Sequence, residues 1–207
     1  ENHVECMLRE LEGMGWTELK PAGVGSHGAV FEGGHPCLDH LTVAIKLPVD
    51  RHRDDNVRAE LLSLRMCTGI DHVTQVVALN FNLPSHGVGC IRLTGGLATV
   101  TQYRPHITLD SITGNPAVEW DQGKCLLCLQ QLCTGLAGIH SRGLVHADLK
   151  PSNVLIAPQM DSATIADLGC ARRAAIGISG YGTAGYRPPE AQREGGVKRS
   201  RQACTDT

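Results

Sequence analysis

The spacing of apolar positions changes period four times along the chain, and each change predicts a new kind of element. Val4, Leu8, Leu11 and Met14 recur at helical intervals and predict a short helix over residues 3–14. The stretch WTELKPAGVGSHGAVFEGG then reads as strand, Gly-rich turn and strand, and LTVAIKL (41–47), rich in β-branched residues, as a third strand of an antiparallel set. Residues 54–67 return to helical spacing, with Val57, Leu61 and Leu64 on one face and Asp54 and Asp55 where a helix dipole favours negative charge. VTQVVALNF and LATVTQY predict two more strands. From about Ala117 to Ser141 the pattern is helical again, with Leu126, Leu129, Leu132, Leu136 and Ile139 on one stripe and Gly143 just past the end. A strand-rich first half and a helical second half predict an α+β fold of two paired lobes, with neither an internal repeat nor a long linker.

Composition adds bounds. With 207 residues and 42% apolar content, the chain can bury a sizeable core. A formal net charge of −2 gives no electrostatic reason to expect nucleic acid or a membrane surface as partner. No run approaches the ~18 apolar residues of a membrane span, and residues 1–20 lack a basic start followed by an apolar block, so a cytoplasmic protein is expected. Nine cysteines at irregular spacing read as reduced thiols. Cys125, Cys128, Cys133 and His140 have a zinc-like flavour, but along one helix at about 1.5 Å per residue they spread too far to converge on one ion. The absent initiator methionine reads as the mark of a fragment.

Four motifs follow in order. In GVGSHGAV, Gly23, Gly25 and Gly28 leave backbone N–H groups open to phosphate oxygens, although glycines also serve ordinary hairpins; the dinucleotide version requires a helix where this chain continues as strand. His27 within it reads as facing solvent. VAIK ends at Lys46, a cation on a mostly apolar strand that needs an anion, either phosphate or Glu60 on the next helix; a solvated strand lysine is the plainer alternative. VHADLKPSNVLI holds Asp148, Lys150 and Asn153, and DLG holds Asp167 after a short strand. Asp148, Asn153 and Asp167 supply hard oxygen ligands and a carboxylate base, the set that Mg²⁺ and a transferring phosphoryl group require.

Together these motifs resemble the protein kinase superfamily, over nearly the whole chain from Trp16 to Glu190. DLKPSN and GTAGYRPPE make the resemblance closest to the serine/threonine type. It implies a two-lobed fold: a flank over 1–15, a β-rich N-lobe with hinge over 16–104, a partial and mainly helical C-lobe over 105–190, and a polar tail over 191–207. It implies that Gly23, Val24, Gly25 and Gly28 cover the phosphates of ATP, and that Lys46, steadied by Glu60, holds the α- and β-phosphates. Val30, Ala44 and Leu155 would sandwich the adenine, Thr101 would guard the rear pocket, and Gln102, Tyr103 and Arg104 would form the hinge. Asp148 would act on the acceptor hydroxyl, Lys150 would neutralise the γ-phosphate, Asn153 and Asp167 would hold Mg²⁺, and Thr183 would brace Asp148 and Lys150.

Three departures qualify the resemblance. Ala147 stands where many such kinases carry an arginine that receives an activation-loop phosphate, so activity independent of phosphorylation at Ser179 is expected. A small residue there also resembles the loop of aminoglycoside-type small-molecule kinases, which lack a segment like GTAGYRPPE. Leu168 replaces the usual phenylalanine of the metal-binding triplet, an apolar swap of similar volume. The helix opening with Asp-x-Trp, which follows the Pro-Glu pair in the family, is missing, and the chain reads as truncated after Glu190. Two functions are therefore weighed: ATP- and Mg²⁺-dependent phosphorylation of protein serine or threonine, and a truncated, non-catalytic nucleotide-binding or interaction module. The oligomeric state is open.

Overall fold

Strand alternation builds the first layer. A computed structural model describes residues 3–25, 28–39, 41–48, 54–79, 86–113, 115, 118, 120–176 and 182–192. The chain divides into two units, Glu1–Arg65 with Gln75–Arg104, and Met66–Thr74 with Pro105–Thr207.

In the first unit, helix α1 (His3–Gly13) precedes strands β1 (Thr17–Gly25), β2 (Gly28–Gly34) and β3 (Val43–Leu47). Helix α2 (Asp54–Met66) follows, then β4 (His86–Gly87), β5 (Cys90–Leu93) and β6 (Gly96–Gln102). Among the described residues the strands form one antiparallel sheet in the order β1-β2-β3-β6-β5-β4. Pro21 is tolerated because β1 is the edge strand and its register shifts beside it. Along β3 burial alternates, so Val43, Ile45 and Leu47 enter the core while Ala44 and Lys46 face the other way.

The two helices cover opposite faces. Met7 and Leu11 of α1 are fully buried with Phe31, Ile45, Ile91 and Val100, each large apolar side chain contributing about 1.5–3 kcal/mol. On the other face Val57 and Leu61 of α2 pack on Leu97 of β6. The helix over 3–14 is therefore part of the core of this unit.

One predicted strand is corrected. Residues 73–79 form isolated bridges, Val76 with Thr101 and Ala78 with Val88, in place of a continuous ladder. The physical reason is competition: Val88–Gly89 enters beside them, and Val77 shares its backbone groups between Val100 and Gly89. The apolar run reports burial, since Val77 and Leu79 are both buried, but it does not report pairing. On the side of β6 away from β3 the continuous partner is β5, whose Cys-Ile-Arg-Leu sequence carried no strand signal long enough to read.

In the second unit, β7 (Ile107–Thr108) and α3 (Leu109–Thr113) lead to α4 (Gln122–Ser141), β8 (Leu144–Val145), β9 (Val154–Ile156), β10 (Ala163–Ile165), β11 (Arg172–Arg173) and α5 (Pro189–Gln192). Small antiparallel ladders β10-β9-β7 and β11-β8 present the loops between them. Helix α4 starts at Gln122 because Asp121 caps it, its carboxylate accepting the Lys124 N–H at 3.1 Å.

The apolar stripe of α4 is half misplaced. Leu126 and Leu129 are 60% and 58% exposed, whereas Cys128, Gly135 and Ile139 are buried. Glycine decides this, because a Cβ at Gly138 would lie 2.2 Å from the Ile70 side chain and one at Gly135 3.0 Å from the His72 carbonyl oxygen. The packed face is the one on which segment 70–72 approaches the helix backbone. Cys125 and Cys128 sit one turn apart, with Cys133 exposed further along. Among the described residues no helix is long and apolar enough to cross a membrane.

Candidate active site

The first unit carries the glycine turn and the lysine. Gly25 pairs with Gly28 where β1 meets β2, and Ser26 and His27 between them lie outside the described residues. Gly28 has no room for a side chain, since a Cβ there would stand 2.5 Å from the Leu47 carbonyl oxygen; Gly23 has open space around it and Val24 is 81% exposed. Cross-strand register puts Val30 opposite Lys46, and Ala44 opposite Thr101, on one face of the sheet. On that face Lys46 donates to both carboxylate oxygens of Glu60, at 2.9 and 3.1 Å, and Glu60 is only 6% exposed. Glu60 is thus the anion that the lysine required. Gln102 ends β6 and Tyr103 and Arg104 follow it to the boundary of the unit. Burial, and a hydrogen bond to the Glu32 carboxylate, push the Tyr103 hydroxyl up from its ordinary value and keep it protonated.

The second unit gathers the remaining groups around Asp148. The Asp148 Oδ1 accepts from the Thr183 N–H at 2.6 Å and from its hydroxyl at 2.7 Å, and Lys150 Nζ lies 3.0 Å from Oδ2. Lys150 also donates to the Thr183 hydroxyl oxygen at 2.7 Å, which closes a ring of three side chains. Asn153 uses its amide nitrogen on the Asp148 carbonyl at 2.8 Å, leaving its amide oxygen as the atom it can offer elsewhere. Burial raises the pKa of Asp148, but the Thr183 hydroxyl, the Lys150 ammonium and the Thr183 N–H outweigh it and hold the carboxyl below the usual range.

His146 is a residue that the motif reading left without a role. It is fully buried; its Nδ1 accepts the Asp148 N–H at 3.3 Å, which leaves Nε2 to donate to the Ala166 carbonyl at 3.0 Å. The Ala166 N–H in turn donates to the Asn153 carbonyl at 2.9 Å. The loop bearing Asp148 and the strand end bearing Asp167 are therefore tied together. Asp167 itself holds a left-handed backbone, φ 59°. The Cys170 thiol is pushed up by burial and by the charges of both Asp148 and Asp167, so the two carboxylates act on one neighbour. Leu168 is fully buried in the place a phenylalanine would take, and Leu155 lies on β9 between buried Val154 and Ile156, itself partly exposed.

Ala147 is also left-handed, φ 64°, and Gly182 stacks against it so tightly that a Cβ would meet the Ala147 carbonyl oxygen at 2.5 Å. A shallow depression opens beside Asp148, walled by Ala147, Gly182, Thr183, Tyr186, Arg187 and Pro188. Ser179, Tyr181 and the tail from residue 193 lie outside the described residues, as does the side chain of Glu190. Arg172 donates to the carbonyls of Gly169 and Ala171 at 3.3 and 2.7 Å.

Residues 16–202 match the family model described as the protein kinase domain. The chain belongs to the protein kinase family. Its α+β fold, with a β-rich and a more helical unit, is that of the two-lobed kinases. Among similar proteins, the serine/threonine-protein kinase mos of Gallus gallus is 30% identical over 201 residues, covering 83% of this chain and 54% of the relative. The serine/threonine-protein kinase pkn2 of Myxococcus xanthus is 32% identical over 162 residues, covering 74% of this chain and 18% of the relative. Mitogen-activated protein kinase kinase kinase 17 of Arabidopsis thaliana is 28% identical over 182 residues, covering 87% and 46%. The kinase chain thus spans about half the length, or less, of these three relatives.

Kinases of this family use ATP and, as a rule, Mg²⁺, and the donor chemistry here fits that pair. Asn153 and Asp167 offer an amide oxygen and a carboxylate, both hard donors. Among the described residues no group of three or more His, Cys, Asp or Glu side chains is placed to hold a metal unaided. An amide oxygen and a carboxylate are donors of the kind that suit Mg²⁺, which keeps several waters and takes one or two protein oxygens together with substrate phosphates.

Proposed function

We propose that this chain is the catalytic domain of a serine/threonine protein kinase, transferring the γ-phosphoryl group of ATP to hydroxyls of protein substrates in the cytoplasm. The observation that carries the reading is the ring of Asp148, Lys150 and Thr183: a carboxylate kept ionised, a cation beside it, and a hydroxyl that fixes both. On this reading residues 16–104 are the N-lobe and hinge and 105–190 the catalytic part of the C-lobe, with 1–15 before them and 191–207 after.

In the transfer, the acceptor oxygen forms its bond to the γ-phosphorus as the bond from phosphorus to the β,γ-bridging oxygen breaks, and ADP leaves with that electron pair. Asp148 orients the acceptor hydroxyl and takes its proton. Lys150 neutralises charge on the γ-phosphoryl oxygens, and Lys46, held by Glu60, does so at the α- and β-phosphates. Asn153 and Asp167 would hold Mg²⁺, which would supply positive charge to offset the negative charge of the phosphates. Val30, Ala44 and Leu155 would receive the adenine, with Thr101 behind it and the backbone of Gln102 and Tyr103 along its edge, while Gly23, Val24, Gly25 and Gly28 cover the phosphates.

The nucleotide half of the reading is tested by calorimetry. ATP titrated into folded protein is expected to give saturable heat that requires Mg²⁺. Heat that is absent, or unchanged by chelating the metal, contradicts it.

A further inference from the structure

Lys46 keeps Glu60 only while α2 holds its height and rotation on the sheet, and the turn between β5 and β6 is built to fix both. Asp54, the first described residue of α2, does not spend its carboxylate on the helix. Its Oδ1 accepts the Leu97 N–H of β6 at 2.9 Å and its Oδ2 accepts the guanidinium of Arg92 of β5. A Cβ on Gly96, whose φ is +137°, would stand 3.1 Å from that Oδ1, so the carboxylate lies flush on the turn.

The same turn is gripped from the opposite side by α1. Both carboxylate oxygens of Glu10 accept the Thr94 N–H at 2.9 Å, and one accepts its hydroxyl at 3.1 Å. A Cβ on Gly95 would meet the His3 ring at 2.6 Å and Met7 at 3.0 Å. Met7 and Leu11 are fully buried, so the turn cannot follow a drifting α2 without pulling α1 from the core. Asp55 makes the contrast: it sits at the next position, exposed, and supplies the same charge to the helix N-terminus.

We propose that Asp54 is a positioning residue for the Lys46–Glu60 pair, anchoring α2 to the Thr94–Gly96 turn that α1 clamps from behind. Glu60 lies six residues on, about 9 Å along the helix at 1.5 Å per residue. Freeing the first turn of α2 lets that carboxylate leave Lys46. The proposal rests on the kinase reading only for what the pair is used for, and its test needs neither nucleotide nor phosphoryl transfer.

The rate at which an N-hydroxysuccinimide ester acylates Lys46 Nζ in the nucleotide-free chain, read by peptide mass spectrometry, reports how well the pair is closed. Asp54→Ala, and Arg92→Gln acting from the partner side, are each expected to raise that rate roughly fivefold, the size of effect that coupling through a packed network supports. Asp55→Asn should leave it unchanged. Glu60→Gln should raise it outright, and adding Asp54→Ala to Glu60→Gln should add nothing further. Circular dichroism confirms that each variant is folded. No rise in folded Asp54→Ala and Arg92→Gln, an equal rise from Asp55→Asn, or an equal increment in the Glu60→Gln background overturns the proposal, the last because a merely structural role acts regardless of Glu60. A chain that labels as expected yet transfers no phosphate leaves the positioning role standing and removes only the kinase reading.

Discussion

Asp148→Asn is expected to lower phosphoryl transfer roughly 10²–10⁴-fold, the usual worth of a positioned general base, while ATP affinity stays nearly unchanged. The asparagine oxygen can still accept the Thr183 N–H and hydroxyl that meet Oδ1 at 2.6 and 2.7 Å, so the ring keeps most of its shape. What is lost is the negative charge beside Lys150 and the atom that takes the proton. Turnover and nucleotide binding measured on the same preparation separate the two effects; an equal fall in both would show that Asp148 serves the nucleotide and not the acceptor. The depressed pKa adds a pH condition. A carboxylate whose folded pKa lies below its unfolded one stabilises the fold above the unfolded value, and that contribution is lost as pH falls through the folded value. Asp148 is therefore ionised throughout the neutral range, and any loss of rate on mild acidification has to come from another group.

Lys46→Met should abolish transfer and weaken ATP binding more than tenfold, the loss of about one charge-assisted contact or more. It should also destabilise the first unit. Removing one partner of a fully buried pair costs about 3–5 kcal/mol. With the Lys46 and Glu60 side chains 18% and 9% exposed, the lower end of that range is expected. The double variant Lys46→Met with Glu60→Leu dissociates these effects: the melting temperature should recover while ATP binding does not. If the double variant binds ATP like the original chain, Lys46 is a structural lysine.

Much of this site was legible because each motif is local. The spacing from Asp148 to Asn153 lies within one loop, and the alternation that turns Lys46 away from Ile45 lies within one strand. The short-range pattern also gave α2 and the face that Val57, Leu61 and Leu64 bury. What escaped is long-range or lies in the backbone. The grip of Glu10 on Thr94 and of Asp54 on Leu97 joins residues far apart in sequence, and no periodicity announces it. Burial of α4 through Gly135 and Gly138 is opaque to a reading that scores apolar side chains, because the packing there is defined by a side chain that is missing. The tie from His146 to Ala166 joins residues 20 apart, beside the left-handed Ala147 and Asp167, and no periodicity announces either feature. In the run from Val73 to Leu79 the apolar pattern reveals that Val73, Val77 and Leu79 are buried, but the hydrogen bonds of Val77 go to Val100 and Gly89, which arrive later in the chain.

The central claim is that the ring of Asp148, Lys150 and Thr183 works as phosphotransfer machinery and is not a relic that binds nucleotide alone. The most direct measurement incubates the folded chain with γ-labelled ATP, Mg²⁺ and a mixed protein acceptor, followed by phosphoamino-acid analysis of the protein-bound label. The account predicts metal-dependent phosphoserine and phosphothreonine, absent from the Asp148→Asn variant. A folded chain that binds ATP and leaves every protein hydroxyl unlabelled, or that labels equally well without Asp148, would contradict it.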